Sequence, residues 1–185
     1  MTLWIILGIV AVVIIWAVSA YNGIVKLKNW VSEAAAQIDV QLGRRNDLIP
    51  NLVETVKGYA KHEQETLSQV IAMRNQLTNM GSNASVQEKM DVSNQLSGTL
   101  KTIFALSENY PDLKANTNFI KLQEELTNTE NKIAYSRQLY NSSVAQYNIK
   151  IQMIPNNIIA NFGGFTKEQM LEIPAEERAV PKVQF

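Results

Sequence analysis

Arg45 stands in a place where a charged side chain is costly. Ile24, Val31, Ile38, Leu52 and Tyr59 share a seven-residue spacing, and Arg45 fills the position between Ile38 and Leu52. Such spacing marks one face of a helix. A guanidinium on that face must reach a carboxylate or water, because an unpaired buried charge is strongly destabilising. Glu124, Glu125 and Glu130 are the distant carboxylates available, with Asp39 and Asp47 as local alternatives. Two chemistries fit: an internal ion pair that sets helix register, or recognition of a phosphate or carboxylate. The ion pair is the expected one. Arg44, Asp47, Glu54, Lys57 and Arg137 complete the set of candidate ion-pair and interaction residues.

Other reactive groups are sparse. His62-Glu63-Gln64-Glu65 has a metal-like look, but a zincin helix needs a second histidine four residues on, where this chain has Thr66. With one histidine in 185 residues, no metal is expected, and no cofactor. There is no cysteine, and no serine, histidine and aspartate at a spacing that would build a nucleophile. No catalytic residue is expected. Tyr140-Asn141 and Tyr147-Asn148 lie one heptad apart, so both rings should point inward while their hydroxyls seek partners on neighbouring helices. Gly163-Gly164 lacks the strand-before, helix-after setting of a phosphate loop and reads as a hinge.

Helices must position these groups. A second seven-residue series, Ala35, Leu42, Ile49, Val56, Val70 and Leu77, accompanies the first. Together they predict one long helix to about Asn79, bent at Pro50, whose ring removes a backbone hydrogen bond. Alternatively Pro50 opens a second helix capped by Asp47. Met80-Gly81-Ser82-Asn83 makes a turn. A further helix is expected from about Ala84 to Asn109, closed by Tyr110-Pro111. The last long one, Thr117 to Met153, carries the seam Phe119, Leu126, Ile133, Tyr140, Tyr147 and Ile154. Pro155 interrupts it, and a short helix over 156–161 follows. The fold class is all-α: a single N-terminal transmembrane helix followed by an antiparallel bundle of long helices. Residues 1–25 are the anchor, 26–162 the bundle, and 163–185 an irregular tail with Pro174 and Pro181 in which only Val180 to Phe185 hints at strand.

The anchor follows from composition. Met1 to Val25 contains no charged side chain. Leu3 to Ala20 is almost wholly apolar, and eighteen residues at about 1.5 Å each span about 27 Å, near the thickness of bilayer hydrocarbon. Trp4, Trp16 and Tyr21 lie towards the two ends, where amphipathic rings favour headgroups. Val18-Ser19-Ala20 would suit a signal-peptide cleavage site, but no Lys or Arg precedes the apolar run, so a retained anchor is favoured. Lys26, Lys28, Arg44 and Arg45 follow the span, which places the N-terminus outside and the bundle in the cytoplasm of a bacterial cell, as a single-pass inner-membrane protein. Seventeen basic and seventeen acidic side chains balance, which argues against nucleic acid as a partner.

The run from Arg44 to Val53, followed by Gly58 to Glu63, resembles the signature of the LemA family of bacterial membrane proteins. A second block resembles it too: Tyr110 to Asn116, Phe119, Leu122 to Leu126 and Glu130 to Ala134. Further matches are Arg137, Tyr140-Asn141, Tyr147-Asn148, Pro155, Ile159-Ala160 and Pro181 to Phe185. The resemblance covers nearly the whole chain. It implies one membrane helix, a long-helix bundle on the cytoplasmic side, and no established enzymatic activity. Gly43 departs from the polar residue expected there and suggests a close helix approach, and Met170 to Glu177 matches loosely. The chain is therefore expected to be a non-enzymatic scaffold or interaction protein. Its partners would be the lipid bilayer and either further copies of itself or other membrane proteins. The alternative is a sensor or ligand-binding module using the Arg/Glu site.

Overall fold

The computed structural model describes residues 1–81 and 84–172. Part of the turn expected at Met80–Asn83 and the tail beyond Glu172, with Pro174, Pro181 and the segment from Val180 to Phe185, lie outside the described residues. The fold is all-α, an apolar N-terminal helix followed by helices that pack together, and among the described residues there is no strand. The helices are α1 (Thr2–Lys57), α2 (Gln64–Asn79), α3 (Val86–Leu106), α4 (Pro111–Lys114), α5 (Thr117–Gln152) and α6 (Asn156–Phe162), with one 3-10 turn at Ser107–Asn109.

Helix α1 continues through Pro50 and stops at Lys57, so neither a helix running to Asn79 nor a new helix opened at Pro50 is formed. Two local facts explain this. Pro50 has no N–H for the carbonyl of Asn46, and the Nε of Arg74 on α2 donates to that carbonyl instead, at 3.4 Å. Gly58 is the poorest helix former in the stretch after proline, and the amides of Tyr59 and Ala60 both close onto the carbonyl of Val56. In this tight corner Ala60 turns inward, and Tyr59, expected on the seam, is exposed.

The chain forms two compact units. The first comprises Met1–Ala36 and Arg137–Met170. Ile24, Val31 and Ala34 of α1 are buried there, as are Tyr140, Val144, Tyr147 and Ile151 of α5 and Ala160 of α6. Ile154, placed on the α5 seam by its spacing, is exposed, because α5 ends at Gln152 ahead of Pro155. The two inward tyrosines bond backbone rather than another helix: Tyr147 donates to the carbonyl of Thr166 (2.9 Å) and Tyr140 to that of Gln169 (3.4 Å). Asn148 both donates to the carbonyl and accepts from the amide of Glu168 (2.8 and 3.0 Å). These bonds hold the non-helical segment 165–170 along α5.

The second unit comprises Gln37–Ser136 and continues from Leu171. Its core joins Ile49, Leu52, Val53 and Val56 of α1 to Leu67 and Val70 of α2, Leu96, Leu100 and Ile103 of α3, and Phe119 and Leu126 of α5. Each such side chain, fully buried, contributes on the order of 1.5–3 kcal/mol from apolar transfer. Ser85 caps α3 through a reciprocal capping box with Glu88, a bond that holds the Glu88 carboxyl below its usual value. Asn116 caps α5, its Oδ1 accepting from the amides of Asn118 and Phe119.

Candidate functional site

Position 45 faces the interior of the second unit, and the Arg45 side chain is 1% exposed. Its Nη1 donates to the carbonyl of Ser93 (3.0 Å), to Ser93 Oγ (2.8 Å) and to Ser97 Oγ (3.0 Å) on α3. Its Nη2 pairs with the carboxylate of Glu130 on α5, to which the hydroxyl of Ser97 is also within 3.0 Å. Three helices thus meet at one guanidinium. Burial lowers the Arg45 guanidinium from its ordinary value to about 10, while the carboxylate opposite favours the charged form. The Nε of Arg45 and the Oε1 of Gln41, one helical turn earlier, are buried without protein partners.

The remaining candidates spread out around this pair. Arg44 bonds Glu125 at 2.6 Å, with both side chains about half exposed, an arrangement worth about 0–1 kcal/mol. Glu54 and Lys57 pair locally on the surface at 3.3 Å. Glu124 and Asp47 are exposed, Asp47 at the rim of a groove of about 310 Å³ that Gly43, Asn46, Arg74 and Lys89 also line. Asp39, the local alternative for Arg45, holds Lys89 instead at 2.9 Å. Arg137 is buried in the first unit. Nothing lies within 4 Å of a side chain built on Gly43, so that glycine marks no close helix approach. Among the described residues no group of three or more His, Cys, Asp or Glu could hold a metal ion.

Three participants were missed by spacing arguments. Ser93 and Ser97 sit four apart on the face of α3 that also carries Leu96 and Leu100, and two hydroxyls at that spacing were the available signal. Arg74 gave none, since its partner is a carbonyl released by a proline 24 positions earlier.

Within this unit the two blocks that carry the family resemblance converge. Tyr110 donates to Glu63 (3.1 Å), which with burial and the carboxylate charge raises the tyrosine's ionisation above 10. Asn116 donates to the hydroxyl of Tyr59 (2.9 Å). With Arg44–Glu125 and Arg45–Glu130, four polar bridges join residues 44–63 to residues 110–130. The exposed corner after α1 is thereby pinned to the one before α5.

Comparison with known proteins agrees with this layout. The model of the LemA family matches residues 34–185. Protein LemA of Metamycoplasma hominis is 27% identical over 139 residues, covering 75% of this chain; the chain spans 63% of that protein's length. The magnetosome protein MamQ of Magnetospirillum gryphiswaldense is 22% identical over 184 residues, covering 86% of this chain and 68% of that protein. Taken with an N-terminal helix long and apolar enough to cross a membrane, these matches point to a membrane-associated protein of the LemA type. The signature at Arg44–Glu63, its partner block on α4 and α5, and the match across 34–185 lead to one assignment: the chain belongs to the LemA family.

Proposed function

We propose that this chain is a non-enzymatic, membrane-anchored helical scaffold that associates with further copies of itself. Its N-terminus lies outside the cell and its bundle in the cytoplasm. The observation that carries the reading is the start of α1: the large apolar side chains from Leu3 to Val18, all but Trp16, are exposed in the folded chain. An apolar surface of that length needs hydrocarbon around it. Arg45, the most deeply buried charge among the described residues, commits both terminal nitrogens to Ser93, Ser97 and Glu130 and leaves only its Nε, which weighs against the rival reading of a sensor that binds an anion there.

Self-association is tested by light scattering of the detergent-solubilised chain across a wide concentration range, together with cross-linking in native membranes. A strictly monomeric chain with no cross-linked species overturns the scaffold reading. Protection of the bundle in both intact cells and spheroplasts, with cleavage only after the membrane is lysed, supports the cytoplasmic placement, and cleavage in spheroplasts reverses it. Thermal-shift screening with anionic metabolites addresses the rival reading. A shift abolished by Arg45→Ala would favour it over the scaffold.

A further inference from the structure

The first unit carries an apolar surface that the anchor alone does not account for. At the end of α5 and along α6, Ile154 is 83% exposed and Phe162 89%, with Met153 and Ile158 about half exposed. Ile158 and Phe162, four apart, form one stripe on α6, and Ile154 precedes it in the turn at Pro155. Ala160, on the opposite side of α6, is buried.

The level of this stripe along α1 gives its environment. Lys150 lies beside Gly23, its Cε 3.6 Å from where a side chain on that glycine would begin. Helix α5 ends two residues beyond Lys150, at Gln152, so the corner begins at the level of Gly23. That is three residues beyond the apolar run, which ends at Ala20. The chain after α6 returns past the same height, where the ring of Phe165 packs on Tyr21 at 5.5 Å and Lys28 Nζ lies 5.8 Å from the Phe165 ring. Apolar side chains at the depth of the span's end, beside Lys26, Lys28 and Lys150, match the headgroup boundary. Rings and aliphatic chains dip inward there and ammonium groups meet phosphates.

We propose that the α5–α6 corner is an interfacial membrane contact: Ile154, Ile158 and Phe162 insert shallowly into the leaflet from which α1 emerges. The occupant is lipid rather than protein, because the corner lies at the level of Tyr21 and Gly23, just past the end of the apolar run. The inference rests on the anchor reading, and the test separates the two.

The chain has no cysteine, so single labels are clean. Spin labels are placed on Phe162→Cys and Ile158→Cys, with Asn161→Cys and Gln146→Cys as exposed polar controls and Val12→Cys inside the span. The full chain is reconstituted in vesicles of phosphatidylcholine and phosphatidylglycerol. The expected result is collision with a water-soluble nickel chelate severalfold lower at 158 and 162 than at 146 and 161, with oxygen collision raised. Equal nickel access at 162 and 146, while Val12 reports hydrocarbon, overturns the contact and leaves the anchor standing. Low access to both probes with spin–spin broadening means that a second copy covers the stripe, which also overturns it. Nickel access at Val12 refutes the anchor, and the contact falls with it.

Discussion

Removing the carboxylate from the buried pair should hurt more than removing the guanidinium. In Glu130→Gln the shape at position 130 persists, but Arg45, 1% exposed, loses its counter-charge. Burial that lowers this guanidinium to about 10 corresponds to about 3 kcal/mol of desolvation. The Glu130 side chain is 41% exposed, so solvent already screens part of its attraction, and Nη1 keeps Ser93 and Ser97. The expected loss is therefore about 2 kcal/mol, below the 3–5 kcal/mol typical of breaking a fully buried pair. For a chain of this size that is a fall of about 4–8 °C in Tm. Arg45→Met leaves the opposite situation: a part-exposed carboxylate that water can reach and an apolar chain of similar length in the cavity, with an expected loss under about 1 kcal/mol. Combining Arg45→Met with Glu130→Gln should recover most of the Glu130→Gln loss. Helicity followed by circular dichroism during thermal unfolding in detergent measures all three. The reasoning is refuted if Arg45→Met destabilises more than Glu130→Gln, or if Glu130→Gln melts like the parent.

Gly43→Ala should stabilise the chain by about 0.5–1 kcal/mol, since a mid-helix glycine with nothing within 4 Å of the new carbon gains propensity without a clash. A lower Tm would show that the groove beside it needs the space. Arg74→Ala should cost about 1 kcal/mol by orphaning the Asn46 carbonyl, and clearly less in a Pro50→Ala background, where a backbone amide returns to that carbonyl. Equal losses in both backgrounds would break the assignment. Tyr110, Tyr140 and Tyr147 should ionise above the ordinary value of 10. For Tyr110 the chief cause is its bond to Glu63, and for the other two it is burial followed by the Glu168 carboxylate. Raised folded values favour the neutral phenol, so this contribution to stability is whole below pH 10 and is lost as pH rises through the folded values. Absorbance titration of the parent against Tyr147→Phe reads it, and an unchanged upper limb would count against the burial argument.

Much of the architecture was legible because the apolar spacing is regular: α3, α5 and α6 lie within a few residues of where their periodicity and prolines put them. The corner after Lys57 escaped for a specific reason. Val56, Val70 and Leu77 keep the seven-residue beat across it, and α2 happens to resume in phase. The contrary signals were Glu63 in the skipped place of that series and Gly58 just before it. Around Arg45, spacing offered three glutamates on α5 without choosing between them, because the choice depends on how far α5 slides along α1. The structure brings Glu130 to Arg45, gives Glu125 to Arg44 and leaves Glu124 in solvent. No periodicity argument encodes that offset.

Asn148 has a consequence beyond its two bonds. A side-chain amide that gives and receives at one residue's backbone, as it does at Glu168, offers that residue what a neighbouring β-strand would offer. The open edge of an extended segment is a template for unwanted pairing between chains, and here a helix occupies it. The segment is thereby fixed to a single alignment: inserting one residue between 148 and 168 would present the wrong amide to Asn148 and release an edge that other chains could extend.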